Sequence, residues 1–95
     1  MDFTDKCVTA GTYKKEDVFI RFEIVPEQTE NEIQIESKVA AKYGDHIQAL
    51  VEDMLNKHGL TGVRLAASDL GALDFAWKAR IETAILRWQK QEGRI

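Results

Sequence analysis

Few side chains in this sequence can do covalent chemistry, and their spacing decides what they can do together. The reactive set is one cysteine, Cys7, two histidines, His46 and His58, and scattered carboxylates. Nucleophilic catalysis needs a base within hydrogen-bond reach of the nucleophile. His46 and His58 are twelve positions apart on one predicted helix, which puts them about 120° apart around its axis. They do not face one another, and Cys7 is far from both, so exposed or core-edge histidines are expected. One cysteine and two separated histidines give no zinc spacing. Glu27, Glu30, Glu32 and Glu36 lack the glycine and spacing of a calcium loop and read as a solvated acidic edge. Asp69 and Asp74 flank Leu70-Gly71-Ala72-Leu73 and could act as an acid–base pair, but aspartates at a helix start are expected to cap it. Arg80 and Arg87 share a helix stripe and could meet a partner or phosphates; an exposed face is the expectation.

The elements that must hold these groups follow from hydrophobic period. Val18, Ile20, Phe22 and Ile24 alternate with Phe19, Arg21 and Glu23 as a strand that ends at Pro26, whose missing N–H cannot serve a ladder. Glu32 to Glu36 alternates again and is expected to pair antiparallel with that strand. A shorter strand is expected over Cys7 to Thr12, leaving Tyr13 to Glu16 as a turn. After Ser37, an expected N-cap, the period lengthens: Val39, Tyr43, Ile47, Leu50, Val51, Met54 and Leu55 share one helical face. Gly44-Asp45 is expected to divide that helix, and Gly59 to follow its end in a left-handed conformation.

Thr61 to Ala67 reads as a fourth strand, and Asp69-Leu70-Gly71 as the turn into a last helix. That helix carries Leu73, Trp77, Ile81, Ala84, Ile85 and Trp88, with Asp74–Lys78 and Lys78–Glu82 as i,i+4 pairs. Both tryptophans should pack on the sheet, Trp88 near its margin and available for subunit contact. Gln91 to Ile95 reads as a fraying tail. The expected architecture is α+β, a mainly antiparallel sheet packed by two helices in the order β-β-β-α-β-α.

Bulk properties set the remaining limits. Ninety-five residues with 44% hydrophobic and 31% charged side chains make a single globular domain, residues 1–95, without room for a second core or a deep cavity. A net charge of −3 argues against nucleic acid, which needs a concentrated basic surface. The uncharged runs are too short to span a membrane, and the first residues lack the order of a signal peptide. With its single cysteine, a reducing, cytoplasmic location is expected.

Several segments then fall into a collinear series: Ala10-Gly11-Thr12, Asp17-Val18, Ile20-Arg21, Tyr43-Gly44-Asp45 with Ile47, Gly62-Val63, Asp69, Gly71-Ala72-Leu73-Asp74, Ala79-Arg80 and Glu82. Together they resemble the citrate lyase acyl carrier family, the gamma subunit of that lyase. The resemblance implies a non-catalytic carrier in a cytoplasmic hetero-oligomer with an alpha-like and a beta-like, aldolase-type subunit. It also implies a phosphoribosyl-dephospho-CoA group on a serine of the first loop, whose thiol carries the acyl group between two active sites.

Counted from Ala10-Gly11-Thr12, that serine position holds Lys15. A phosphodiester needs a hydroxyl oxygen, and the lysine amine is protonated at neutral pH. Thr12 is the nearest hydroxyl, three residues early.

No covalently bound cofactor is therefore expected, and three roles follow from the resemblance and this departure. The expected one is a non-loaded structural or positioning subunit, with Lys14 and Lys15 available to the phosphates of free CoA thioesters. The alternatives are a working carrier with its arm on another residue, and a stand-alone interaction or regulatory domain.

Overall fold

The computed structural model describes residues 2–93. Four strands and two helices follow in the expected order: β1 (Val8–Gly11), β2 (Val18–Ile24), β3 (Glu32–Ser37), α1 (Ala40–Lys57), β4 (Val63–Asp69) and α2 (Asp74–Gln91). The sheet order is β1-β2-β4-β3, with β1–β2 and β2–β4 antiparallel and β3–β4 parallel.

One expected pairing is overturned: β3 does not form a hairpin with β2. β4 lies between them, pairing Ile24 with Val63 on one side and Ile33 with Leu65 on the other. The Pro26–Asn31 segment is too long and too polar for a tight turn, and it crosses one strand's width, about 10 Å, instead. It is stitched to the chain entering β4: Val25 N–H donates to the Gly62 carbonyl (2.8 Å), and Val63 N–H donates to Asn31 Oδ1 (2.9 Å). Gly62 permits this approach, because its φ is 71° and a Cβ there would lie 2.5 Å from the Gln28 carbonyl oxygen.

The burial pattern explains the placement. β4 buries every second residue, Val63, Leu65, Ala67 and Asp69, while β3 buries none fully. A strand flanked on both sides belongs in the middle, and a charged, half-buried one suits an edge. β4 also runs on to Asp69, two residues beyond its expected end.

Both helices pack on one sheet face. Ile20, Phe22, Val63 and Leu65 meet Val51, Leu55, Trp77, Ile81 and Ile85, all 2% exposed or less. Burying each large aliphatic or aromatic side chain contributes about 1.5–3 kcal/mol. Trp77 and Trp88 both belong to this core; Trp88 meets Phe22 edge-on at 6.5 Å and is not free for subunit contact.

Helix α1 is continuous through Gly44-Asp45, so the expected break is absent. Its N-cap is Val39 rather than Ser37, whose hydroxyl instead accepts from Val39 N–H and donates to Asp69. Tyr43, assigned to the apolar face, is exposed. Leu73 is likewise exposed and stands before α2 as its N-cap residue. Gly59 has φ 63°, as expected at a helix end. Gln91 closes α2, and residues 94–95 of the expected tail lie outside the described residues.

Candidate functional site

The loop from Thr12 to Asp17 is where the sequence placed its chemistry, and the fold divides it into a fixed base and a solvated tip. β1 ends at Gly11, whose φ is 93° and where a Cβ would lie 1.8 Å from the Val18 carbonyl oxygen. Only glycine lets the two strands converge so closely at the loop's root. On the other side, Glu16 N–H donates to the Leu70 carbonyl (2.8 Å) and Leu70 N–H donates to the Asp17 carbonyl (2.9 Å). These bonds join the loop to the turn that leads into α2.

Asp17 organises the base. Its Oδ1 accepts from Arg80 Nε at 3.0 Å and from Val18 N–H at 2.7 Å. Its Oδ2 accepts from Arg80 Nη2 at 2.7 Å and from the Thr12 hydroxyl at 2.6 Å. The guanidinium and carboxylate thus meet fork to fork, the strongest common geometry for such a pair. The two hydrogen bonds from Arg80 hold the Asp17 carboxyl far below the usual carboxylate range, helped by Thr12 and Val18 N–H against the opposing effect of burial. The same pair raises Arg80 above its ordinary value.

Arg80 was expected on an exposed helix stripe and instead crosses to this loop. Arg87, on the same stripe, donates to the Thr9 carbonyl at 2.6 Å. Acidic and basic residues 63 positions apart offer no local signal of pairing.

The tip is different. Tyr13, Lys14, Lys15 and Glu16 are exposed. Tyr13 stacks on Phe19 with ring centroids 4.5 Å apart, anchoring one side. Among the described residues, neither Lys14 nor Lys15 lies within ion-pair distance of a carboxylate. Glu16 adopts φ 66°, a left-handed conformation uncommon for a residue with a Cβ.

Thr12, the alternative hydroxyl, is engaged twice: it donates to Asp17 and accepts from Lys14 N–H at 3.2 Å. A carboxylate held so far down is a poor acceptor for the hydroxyl proton, so Asp17 does not activate Thr12 as a nucleophile.

Asp69 and Asp74 do not form an acid–base pair. Asp69 is buried, accepting from Gly71 N–H (3.0 Å), Ala72 N–H (2.8 Å) and Ser37 Oγ (2.7 Å). It builds the turn that receives the loop. Asp74 opens α2 and faces His46, with Nε2 2.8 Å from its Oδ2, rather than Lys78. His46 and His58 are exposed, and Cys7 is half-buried in the N-terminal segment. Among the described residues no cluster has the composition of a metal site, and no helix is long and apolar enough to cross a membrane.

Known proteins resemble this chain in sequence and in fold. Residues 5–88 match the family model described as ACP, malonate decarboxylase delta subunit (MdcD). A citrate lyase acyl carrier protein from Edwardsiella ictaluri is 38% identical over 78 residues, covering 82% of this chain and 79% of that protein. One from Yersinia enterocolitica is 43% identical over 79 residues, covering 82% and 79%. Among solved structures, a chain of a Pseudomonas malonate decarboxylase hetero-tetramer in complex with malonate superposes with a TM-score of 0.67. It covers 85% of this chain and 81% of that one at 16% identity, a likeness of fold alone.

Proposed function

The chain belongs to the acyl carrier family of citrate lyase and malonate decarboxylase, and from that membership we propose that it is a carrier-like, non-loaded subunit of a citrate-lyase-type complex. One observation carries this reading: Lys15, at the position where the family resemblance puts the prosthetic-group serine, stands exposed on a loop whose base is otherwise intact. An ammonium has no lone pair to attack phosphorus. The arm that the resemblance implies, phosphoribosyl-dephospho-CoA, has no oxygen to join at residue 15. In this role the subunit is non-catalytic. It places alpha-like and aldolase-type beta-like partners beside one another, and the cytoplasm is the compartment that suits it.

A second reading, a working carrier loaded through Thr12, is disfavoured by the two hydrogen bonds that engage that hydroxyl. Moving the attachment by three residues would also misplace the arm for enzymes built around one loop position. Intact mass decides between them. Made together with its partner subunits and their loading enzymes, the chain is expected at its unmodified mass and co-purifying with an aldolase-type subunit. An adduct the size of a dephospho-CoA derivative on the polypeptide refutes the reading.

In such a complex the acyl groups would travel on free CoA thioesters, with Lys14 and Lys15 as compact cations for their phosphates. Calorimetry with a CoA thioester should show salt-sensitive binding that Lys14→Ala plus Lys15→Ala removes. Absence of such binding in the native chain refutes this part of the reading alone.

A further inference from the structure

We propose that the solvent face of the sheet binds an adenine nucleotide, its ring stacked beside Tyr13 and its phosphates held by Arg21 and the loop lysines. The site rests on the reading above only for the ligand's source, the nucleotide end of a free CoA thioester.

The strand register builds a trough on the face opposite the helices. Here β4 presents only Ala66 and Ser68, whose Cα partners are Arg21 and Phe19 on β2 and Gln34 and Glu36 on β3. Short side chains in the middle and long ones on both flanks leave a hollow between walls two strand spacings, about 10 Å, apart. Phe3 and Tyr13 also line the hollow, which encloses about 200 Å³. Pockets for drug-sized ligands run to roughly 300–1,000 Å³, so the trough takes one ring system and not a whole CoA.

The water-facing side of a sheet is ordinarily polar, yet this one gathers three aromatic rings. Tyr13 stacks on Phe19 and still keeps 60% of its surface exposed, which leaves aromatic surface for a planar ring. Phe3 is fixed by its neighbour Thr4, whose N–H and hydroxyl donate to the buried Glu23 carboxylate at 3.0 and 2.6 Å. The aromatic walls thus stand before any ligand arrives, which lowers the ordering cost of binding.

Charge complements the rings. Arg21 is exposed in the trough and, among the described residues, lies within ion-pair distance of no carboxylate. Lys14 and Lys15 follow Tyr13 and are equally unpaired. Unpaired cations beside an aromatic platform, on a chain of net charge −3, suit a base that carries phosphates.

The β3 wall selects the base. An ionised carboxylate only accepts hydrogen bonds, so Glu36 meets the exocyclic amine of adenine and repels the carbonyl oxygen that guanine has there. Gln34, two residues before it on the same face, offers the donor and acceptor that the N6 and N7 edge of adenine requires. The phosphates then lie toward Arg21 on the opposite wall, away from that carboxylate.

Calorimetry on the native chain with adenosine 3′,5′-bisphosphate, ADP, GDP and pantetheine tests the site. Both adenine nucleotides should bind, more weakly as salt rises, and pantetheine should not. Tyr13→Ser, at an exposed tip, should weaken binding about tenfold, and Arg21→Gln by a similar factor. GDP should bind about tenfold more weakly than ADP, a gap that Glu36→Gln closes. Ser68→Leu fills the floor and should abolish binding, and amide shifts on titrating the native chain should centre on Phe19, Ala66 and Ser68.

No nucleotide binding, or binding that Tyr13→Ser and Ser68→Leu leave unchanged, overturns the proposal. ADP binding tighter than the bisphosphate overturns CoA as the source and supports the trough. If a CoA thioester binds through Lys14 and Lys15 while the trough variants leave it unchanged, the trough fails and the CoA reading stands. If ADP shifts the trough amides while no CoA thioester binds, the CoA reading fails and the trough stands.

Discussion

The base and the tip of the Thr12–Asp17 loop are separated by one or two residues and obey opposite physics. At the base, the fold fixes the partners of the central polar groups: the Asp17 carboxylate takes four hydrogen bonds, and the Leu70 backbone bonds on either side of a single peptide. At the tip, Lys14 and Lys15 stand in water with no carboxylate within ion-pair distance among the described residues. Substitution at the tip therefore costs little stability, while substitution at the base disturbs two strands and a helix together. A residue at such a tip can be exchanged without disturbing the frame beneath it.

The sharpest way to break that contrast is Gly11→Ala. A Cβ at this root position collides with the Val18 carbonyl and the residue must hold φ 93°, so a loss of about 3 kcal/mol or more is expected in denaturant melts. A loss under 1 kcal/mol would mean that the base gives way as easily as the tip.

Next comes Arg80→Ala, expected to cost about 1–3 kcal/mol by leaving the half-buried Asp17 carboxylate without its charged partner. Its pH dependence sharpens the case. The folded Asp17 carboxyl lies below its ordinary value, so the pair's contribution is complete above the unfolded value near about 3.9. It declines as the pH drops below that point and vanishes once the pH has passed through the folded value. The stability gap between native and Arg80→Ala chains should accordingly be flat from pH 5 to 8 and shrink below about pH 4. A gap that changes across neutral pH would contradict this assignment.

The smallest effect belongs to the junction of the two regions. Glu16→Gly relieves the left-handed strain at the expense of a looser unfolded chain, and a gain of up to about 1 kcal/mol is expected. A clear loss in thermal melts would show that the Glu16 side chain itself supports the base.

Much of the fold was readable along the chain, because period reports burial. Val18, Ile20 and Phe22 on one strand face and Trp77, Ile81, Ala84 and Ile85 on one helix face are buried as their spacing predicts. What escaped is the strand order. Nothing local in Glu32–Glu36 tells an edge strand beside β4 from the second arm of a hairpin with β2, since both alternate with period two.

One helix cap and one helix ion pair failed for a related reason. Ser37 precedes an apolar helical run, as an N-cap should, yet its hydroxyl is drawn to Asp69, which β4 delivers from 32 residues away. Asp74 turned from Lys78 to His46 because the N-terminal turn of α2 lies against α1.

The candidate site divides along the same line. The family resemblance assigns position 15 by counting from Ala10-Gly11-Thr12, because a motif is a string of neighbours. Arg80 could be read only as a cation on a helix stripe. Composition and spacing by themselves determined the element types, most of the core and the ammonium at the loop tip, since each is set by a residue and its near neighbours. The tertiary structure alone decided which strand lies in the middle, which hydroxyl is engaged and which arginine holds the loop. Those outcomes depend on groups brought together from distant parts of the chain, and the free energy of such contacts leaves no trace in local sequence.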